Sequence, residues 1–261
     1  MSREGVRRFY DGHARARAEW WAGMLDVESE LEASYRDRAE KRTVGRLLGD
    51  RRFECVVEVG CGAGRWLDFL SARADRVVGV DLSMTLLGLA RQRAHPRPGS
   101  LVAADAAALP LQRPWGLVYL SCVCLHLQDE ALRLLATACA GLLAPGGLLL
   151  SRDSLSRGLR FEQAGEYGAI YRGADEYLRL FGAAGFRPLK QVPAYRRLRR
   201  PGILHRLERI AGRRAVARLD DRFVALLDLA ANASARLLRR PGGRGPDAGI
   251  EHRFFLYARG D

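Results

Sequence analysis

Three glycines and three acids in the first half of the chain carry its most readable chemistry. The run Glu58-Val59-Gly60-Cys61-Gly62-Ala63-Gly64 sets a glycine at every second position after a short β-branched stretch. Glycine there lets the backbone turn sharply and lets a ligand approach where a Cβ would stand in the way. Asp81 follows Gly60 by 21 residues and ends the next apolar run, Arg76-Val77-Val78-Gly79-Val80. A carboxylate in that place can accept both hydroxyls of a ribose. Asp105 closes a third run, Leu101-Val102-Ala103-Ala104, well placed to take an exocyclic adenine amine. Each acid alone also suits a helix cap or a turn. Three acids at successive strand ends are hard to explain that way.

Such positions require a particular frame. From Phe9 to Leu48 the pattern is helical, with Trp20, Trp21, Leu25 and Leu31 among charges. Strands are then expected at Cys55–Val59, Arg76–Asp81, Leu101–Ala104, Trp115–Ser121 and Leu148–Ser151, the last after a Pro145-Gly146-Gly147 turn. Helices separate them: one through Leu67 and Leu70, one capped by Ser83, one from Asp129 to about Leu143. A short helix near Ala174–Ala184, a strand at Phe186–Val192 and a closing strand at Arg253–Tyr257 complete the chain. Strands alternating with helices imply an α/β fold with a mainly parallel sheet covered on both faces. In such sheets ligands bind beyond the carboxyl ends of the strands, where the strand order switches.

Composition sets the outer bounds. Of 261 residues 48% are hydrophobic and 28% charged, enough to bury a core and to exclude wholesale disorder. The formal charge is +13, with Lys41 and Lys190 the only lysines. The stretch Arg196–Arg244 holds 14 arginines and four acids, so +10 resides there and +3 in the rest. No secretory signal or membrane-spanning run is visible. Cys55, Cys61, Cys122, Cys124 and Cys139 read as reduced core thiols with no zinc spacing among them. No metal site is expected, and the protein is expected to be cytoplasmic.

The segments EVGCGAGR, GVDLS, AADAAALP, VYLSCVCLHLQD and LLAPGGLLL, in this order and spacing, resemble the class I S-adenosylmethionine-dependent methyltransferases over about Val56 to Val192. The resemblance implies a Rossmann-like, mainly parallel seven-stranded sheet with helices on both faces. It implies S-adenosylmethionine as cofactor and S-adenosylhomocysteine as product. Gly60, Gly62 and Gly64 would then contact the amino-acid part of the cofactor, with Glu58 supporting the loop. Asp81 would hold the ribose, with Leu82 against the adenine, Asp105 and Ala106 at the adenine edge, and Ser121 near the methionyl amine. An upstream cation often meets the cofactor carboxylate in this family; Arg42 is the candidate, with Arg38 close behind. A nicotinamide-dependent oxidoreductase is the rival, but position 65 is arginine where a G-x-G-x-x-G loop needs glycine.

Methyl transfer to a hydroxyl or a protonated amine needs a base. His126, after the fourth strand, and Asp153, after the fifth, are the catalytic candidates. Asp153 lies in Ser151-Arg152-Asp153-Ser154, which loosely resembles the branch that methylates protein N-termini. Either residue also suits a structural role. Tyr167 and Tyr171, in the stretch Phe161–Arg172, can line an acceptor pocket or fill a loop's own small core. Tyr10 and Trp21 belong to an N-terminal segment that often serves this fold as a lid.

The expected division is a helical lid over 1–50, a cofactor-binding core over 51–195, a basic helical insertion over 196–248 and a last core strand over 249–261. Within the insertion Val216, Leu219, Phe223, Leu226, Ala230, Ala233 and Leu237 follow 3-4 spacing. A packed helical hairpin, a homodimer seam, a cap over the acceptor pocket and a membrane-surface contact all fit it. Interleaved aromatics are missing there, so nucleic acid ranks low as a partner. The reading is a methyltransferase acting on oxygen or nitrogen of a small-molecule acceptor. RNA or protein methylation docked through the insertion, and a cofactor-binding scaffold without turnover, are the alternatives.

Overall fold

The computed structural model describes residues 2–25, 27, 29–93, 100–112, 114–195, 207, 209, 210, 212, 224, 226 and 249–260. Its strands are β1 (Phe53–Val59), β2 (Ala74–Asp81), β3 (Ser100–Ala103), β4 (Trp115–Ser121), β5 (Leu143–Ser156), β6 (Phe161–Gln163), β7 (Ala169–Tyr171), β8 (Phe186–Pro193) and β9 (Ile250–Arg259). Its helices are α1 (Arg3–Ala16), α2 (Glu30–Leu48), α3 (Leu67–Ser71), α4 (Met84–Gln92), α5 (Asp129–Leu142) and α6 (Ala174–Ala183), with 3₁₀ turns at Ala106–Ala108 and Cys124–His126.

Seven strands form one sheet in the order β3-β2-β1-β4-β5-β9-β8, and β6 pairs with β7 apart from it. The pairs β1–β2, β2–β3, β1–β4 and β4–β5 are parallel, while β9 runs antiparallel to both β5 and β8. The last five residues of β1 are buried, as a strand covered on both faces requires. Leu132, Leu135, Ala136, Cys139 and Leu142 make the buried stripe of α5, at helical spacing. With Tyr177, Phe181, Phe255 and Tyr257 they form the core on one face of the sheet. Alternation turns Phe254 to the other face, where Trp66 meets Phe254 at 6.0 Å and Tyr119 at 5.2 Å. The chain leaves β1 toward β2 and β3, then returns to β4 on the opposite side, so the strand order switches at the carboxyl ends of β1 and β4.

Three elements differ from the sequence expectation. The continuous helical stretch over 9–48 is two helices, because Arg17 leaves helical geometry and Ser29 restarts it, its Oγ accepting from Glu32 N–H at 3.2 Å. The fifth strand starts at Leu143, so that Pro145-Gly146-Gly147, expected as a turn before it, is an irregularity in its pairing with β4, and it runs five residues beyond Ser151, since Arg152 to Ser156 pair with Phe254 to Ile250 of β9. Polar side chains hid this extension: Arg152, Asp153, Ser154 and Ser156 are all buried. Phe161–Arg172 contains the β6–β7 hairpin, with the rings of Phe161 and Tyr171 stacked at 4.6 Å.

The chain divides into two compact units, one of Met1–Gly23, Leu47–Pro193 and Gly249–Asp261, the other of Met24–Arg46 and Ala194–Ala248. In the second, Arg36 Nε donates to buried Glu40 at 3.1 Å. Of the 3-4 pattern from Val216 to Leu237 Leu226 is described, and it is exposed where the pattern expects burial, while Val224, off the pattern, is buried; the rest of the pattern, and nearly all of 196–248, lies outside the described residues. All five cysteines are free thiols, and among the described residues no helix is long and apolar enough to cross a membrane.

Gly60 is the tightest point of the frame. Its φ is +79°, and a Cβ there would run into the Val123 side chain and stand 2.8 Å from the Ser121 carbonyl oxygen. Left-handed backbone costs an L-residue about 1–2 kcal/mol, and overpacking adds about 1–3 kcal/mol. Gly60→Ala is therefore expected to lower unfolding free energy by at least about 2 kcal/mol in urea titrations.

Candidate functional site

The loop after β1 holds Gly60, Gly62 and Gly64 at φ +79°, +52° and +77°, all in the left-handed region. The N–H groups of Gly60 and Cys61 both donate to the Val80 carbonyl, at 2.8 and 3.0 Å, tying the loop to the end of β2. One residue on, Asp81 Oδ2 accepts from Gly62 N–H at 2.8 Å, and Oδ1 accepts from Ser83 N–H at 2.8 Å. One carboxylate thus joins the glycine loop to the start of α4. Burial pushes its pKa up, against the pull of those amide bonds.

Ser83 caps α4: its hydroxyl accepts from Leu86 N–H at 3.0 Å and donates to Asp11 of α1 at 2.5 Å. Asp105 caps the next turn, its Oδ1 accepting from Ala107 N–H at 2.9 Å, with Ala106 the first residue of that turn. Its Oδ2 pairs with Arg3 at 2.6 Å. Beside this pair lies a cleft of about 330 Å³ lined by Arg3, Glu4, Arg7, Leu82, Met84, Ala103 and Ala104. Glu58 is fully buried in β1, and Ser121 ends β4 with its carbonyl against Gly60. Arg42 is exposed on α2, in the second compact unit.

A second cluster forms where α1 meets the turn after β4. The Tyr10 hydroxyl lies 2.9 Å from His126 Nε2, and His126 Nδ1 lies 2.7 Å from the Gly168 carbonyl oxygen. A carbonyl only accepts, so Nδ1 carries the proton. Nε2 then presents its lone pair to the Tyr10 O–H. Tyr167 packs edge-on to His126 at 5.0 Å and against Phe9 at 5.2 Å. Burial pushes the His126 pKa below the ordinary imidazole value, leaving the ring neutral at pH 7.

Tyr171 is buried, its hydroxyl donating to Gln163 at 3.3 Å, and Trp21 is buried beneath the Arg17 guanidinium at 4.5 Å. Asp153 is fully buried in β5. Its Oδ2 accepts from Ser151 Oγ, and Oδ1 has no hydrogen-bond partner among the described residues. Its pKa is pushed up to about 6 by burial. The structure thus joins Tyr10, His126 and Tyr167, and separately Gly62 with Asp81. Asp11, Gly168 and Arg3 take part without having been foreseen. Their partners lie far away in sequence, 72 residues in the case of Asp11 and Ser83.

Residues 56–147 match the family described as Methyltransferase domain. The sheet that carries this match is folded as in solved S-adenosylmethionine-dependent methyltransferases. No curated protein matches the chain in sequence. Among solved structures, DhpI in complex with SAH is 17% identical, with 99% of each chain covered and a TM-score of 0.60. The 1,6-didemethyltoxoflavin-N1-methyltransferase of Burkholderia thailandensis, bound to 1,6-didemethyltoxoflavin and S-adenosylhomocysteine, is 16% identical, covering 99% of this chain and 88% of that one at a TM-score of 0.62. The [4+2]-cyclase SpnF is 19% identical, covering 98% and 96% at 0.62. At such identities the likeness is one of fold, and the reaction has to be argued from the site.

Asp153 yields a prediction about stability. Unfolded, its carboxyl loses its proton near pH 4; folded, it does so at about 6. Between those values the native state binds the extra proton, so stability falls as pH rises from about 4 to about 6, by on the order of 3 kcal/mol. Urea unfolding at intervals from pH 4 to 7 is expected to show this decline in the difference between the wild type and Asp153→Asn, which cancels the titration of the other groups.

Proposed function

We propose that the protein transfers a methyl group from S-adenosylmethionine to an oxygen or nitrogen of a small-molecule acceptor, releasing S-adenosylhomocysteine. One observation carries the reading: Asp81 ends β2 and holds the left-handed glycine loop through Gly62 N–H, at the switch in strand order. The residues present suit the cofactor. A Cβ at Gly62 would have Leu86 Cδ1 as its nearest neighbour, at 4.0 Å, so the loop is open above that residue. The cleft beside Leu82 and Ala104 is of the size small ligands occupy.

Gly60, Gly62 and Gly64 would contact the amino-acid part of the cofactor, with Glu58 beneath the loop and Ser121 near its amine. Asp81 would hold the ribose with its remaining lone pairs. Leu82, Asp105 and Ala106 would meet the adenine. The Arg3–Asp105 pair is exposed on the arginine side and worth about 0–1 kcal/mol. An adenine amine can therefore take Arg3's place. When bound, the cofactor supplies an activated methyl on a sulfonium, and the protein's own share is positioning and proton removal.

His126 is the base in this reading. Its Nε2 lone pair takes a proton from the acceptor, with the Tyr10 hydroxyl marking where an acceptor O–H or N–H would donate. Tyr167 would form the aromatic wall beside it, and Tyr171 and Trp21 support the walls from behind. Asp153, enclosed with Ser151 on the core side, serves the packing of β5. The basic insertion shapes access or self-association, and the chain works in the cytoplasm. Cofactor binding without methyl transfer is the second reading, favoured by the occurrence of a [4+2]-cyclase on this fold.

Calorimetric titration with S-adenosylmethionine and with NAD tests the proposal, with heat expected from the first alone; no heat with S-adenosylmethionine sinks it. Asp81→Ala is expected to weaken that binding by about 1–3 kcal/mol. His126→Ala is expected to keep the affinity and lose about 10²–10⁴-fold in methyl transfer. Undiminished transfer would move the base elsewhere, and no transfer by the wild type to any acceptor would favour the second reading.

A further inference from the structure

Arg172 directly follows β7 and is fully buried. Its Nη1 donates to the Cys124 carbonyl at 3.0 Å and its Nη2 to the Leu127 carbonyl at 2.6 Å. Those two carbonyls bracket the 3₁₀ turn that carries His126. Nε and Nη2 also donate to Asp129 Oδ1, at 3.0 and 2.6 Å, so the guanidinium is oriented by a carboxylate at the start of α5. Arg160 of the same segment holds the other Asp129 oxygen at 2.8 Å.

Four residues before Arg172, at the other end of β7, the Gly168 carbonyl accepts from His126 Nδ1. One short strand therefore delivers both restraints, one on the ring and one on the backbone beneath it. A planar fork of five N–H donors can reach two carbonyls and a carboxylate at once; an ammonium cannot span them in the same plane. A buried guanidinium is stable only when its donors are so occupied, which makes the arrangement specific rather than incidental.

We propose that Arg172 is the positioning residue for His126, and that the β6–β7 hairpin acts as a clamp: the guanidinium fixes the backbone of the 124–127 turn while the Gly168 carbonyl fixes the tautomer of the ring. This rests on the reading of His126 as the proton acceptor, but its test needs no methyl transfer. Arg172 touches neither cofactor nor acceptor in this scheme and acts through the histidine alone.

The test is a long-range ¹H–¹⁵N spectrum of the full-length protein labelled in its five histidines, with the His126 signals assigned by their loss in His126→Gln. In the wild type, the Nδ1–H tautomer and a titration below the ordinary histidine value of about 6.5 are expected. In Arg172→Lys, mixed tautomers and a titration moved up toward that value are expected, with the acid limb of the pH–rate profile following it. S-adenosylmethionine affinity is expected to stay within about threefold, that is about 0.7 kcal/mol. A folded Arg172→Lys with the wild-type tautomer and titration at His126 overturns the clamp. If Arg172→Lys does not fold, Asp129→Asn keeps the guanidinium and removes the carboxylate that orients it. It should move the titration the same way by less, and no movement there also overturns the proposal. Failure of the wild type to bind S-adenosylmethionine would strike the functional reading and leave the clamp to be judged on the histidine signals.

Discussion

A single half-buried carboxylate ties the site together. Asp81 spends one oxygen on the N–H of Gly62 and the other on the N–H of Ser83, so the loop after β1 and the helix after β2 share one anchor. Burying an ionised carboxylate is costly unless N–H donors replace its water. Here two backbone amides do so, that of Gly62 held by the glycine loop's left-handed turns and that of Ser83 by the start of α4. Loop and carboxylate therefore depend on each other: without the turn Gly62 N–H would point elsewhere, and without Asp81 the loop would lose its tie to α4.

The influence of that anchor extends to α1. Ser83, whose N–H is held by Asp81, donates its hydroxyl to Asp11, and the neighbouring Tyr10 reaches His126. One turn of α1 thus touches both the side where the cofactor is proposed to lie and the side proposed for the acceptor. Arg3, at the other end of α1, meets Asp105. Asp11, Tyr10 and Arg3 of α1 therefore border both proposed sides. Because this fold also carries a [4+2]-cyclase, such side-chain detail, rather than the sheet, has to decide the reaction.

What the sequence discloses and what it hides divide along sequence separation. The glycine loop, Asp81, the Ser83 cap and the Asp105 cap are local features, written within a few residues of a strand end, and they are legible. The polar extension of β5 is not, because Arg152 to Ser156 read as surface residues until β9 covers their backbone. Nor is the pairing of Tyr10 with His126, 116 residues apart, or the clamp from Gly168 and Arg172, since no period or cap announces a contact between α1, a 3₁₀ turn and a later hairpin. The chain's basic character is legible as a count, and the count places +10 of +13 between Arg196 and Arg244. That charge belongs to the insertion and says little about the reaction.

The most direct test is a crystal structure of the protein with S-adenosylhomocysteine. Both ribose hydroxyls should lie within hydrogen-bond distance of the Asp81 carboxylate, with the adenine beside Leu82 and Ala106 and Arg3 withdrawn from Asp105. A ligand bound away from the glycine loop, or an adenosine whose ribose makes no contact with Asp81, would contradict the account.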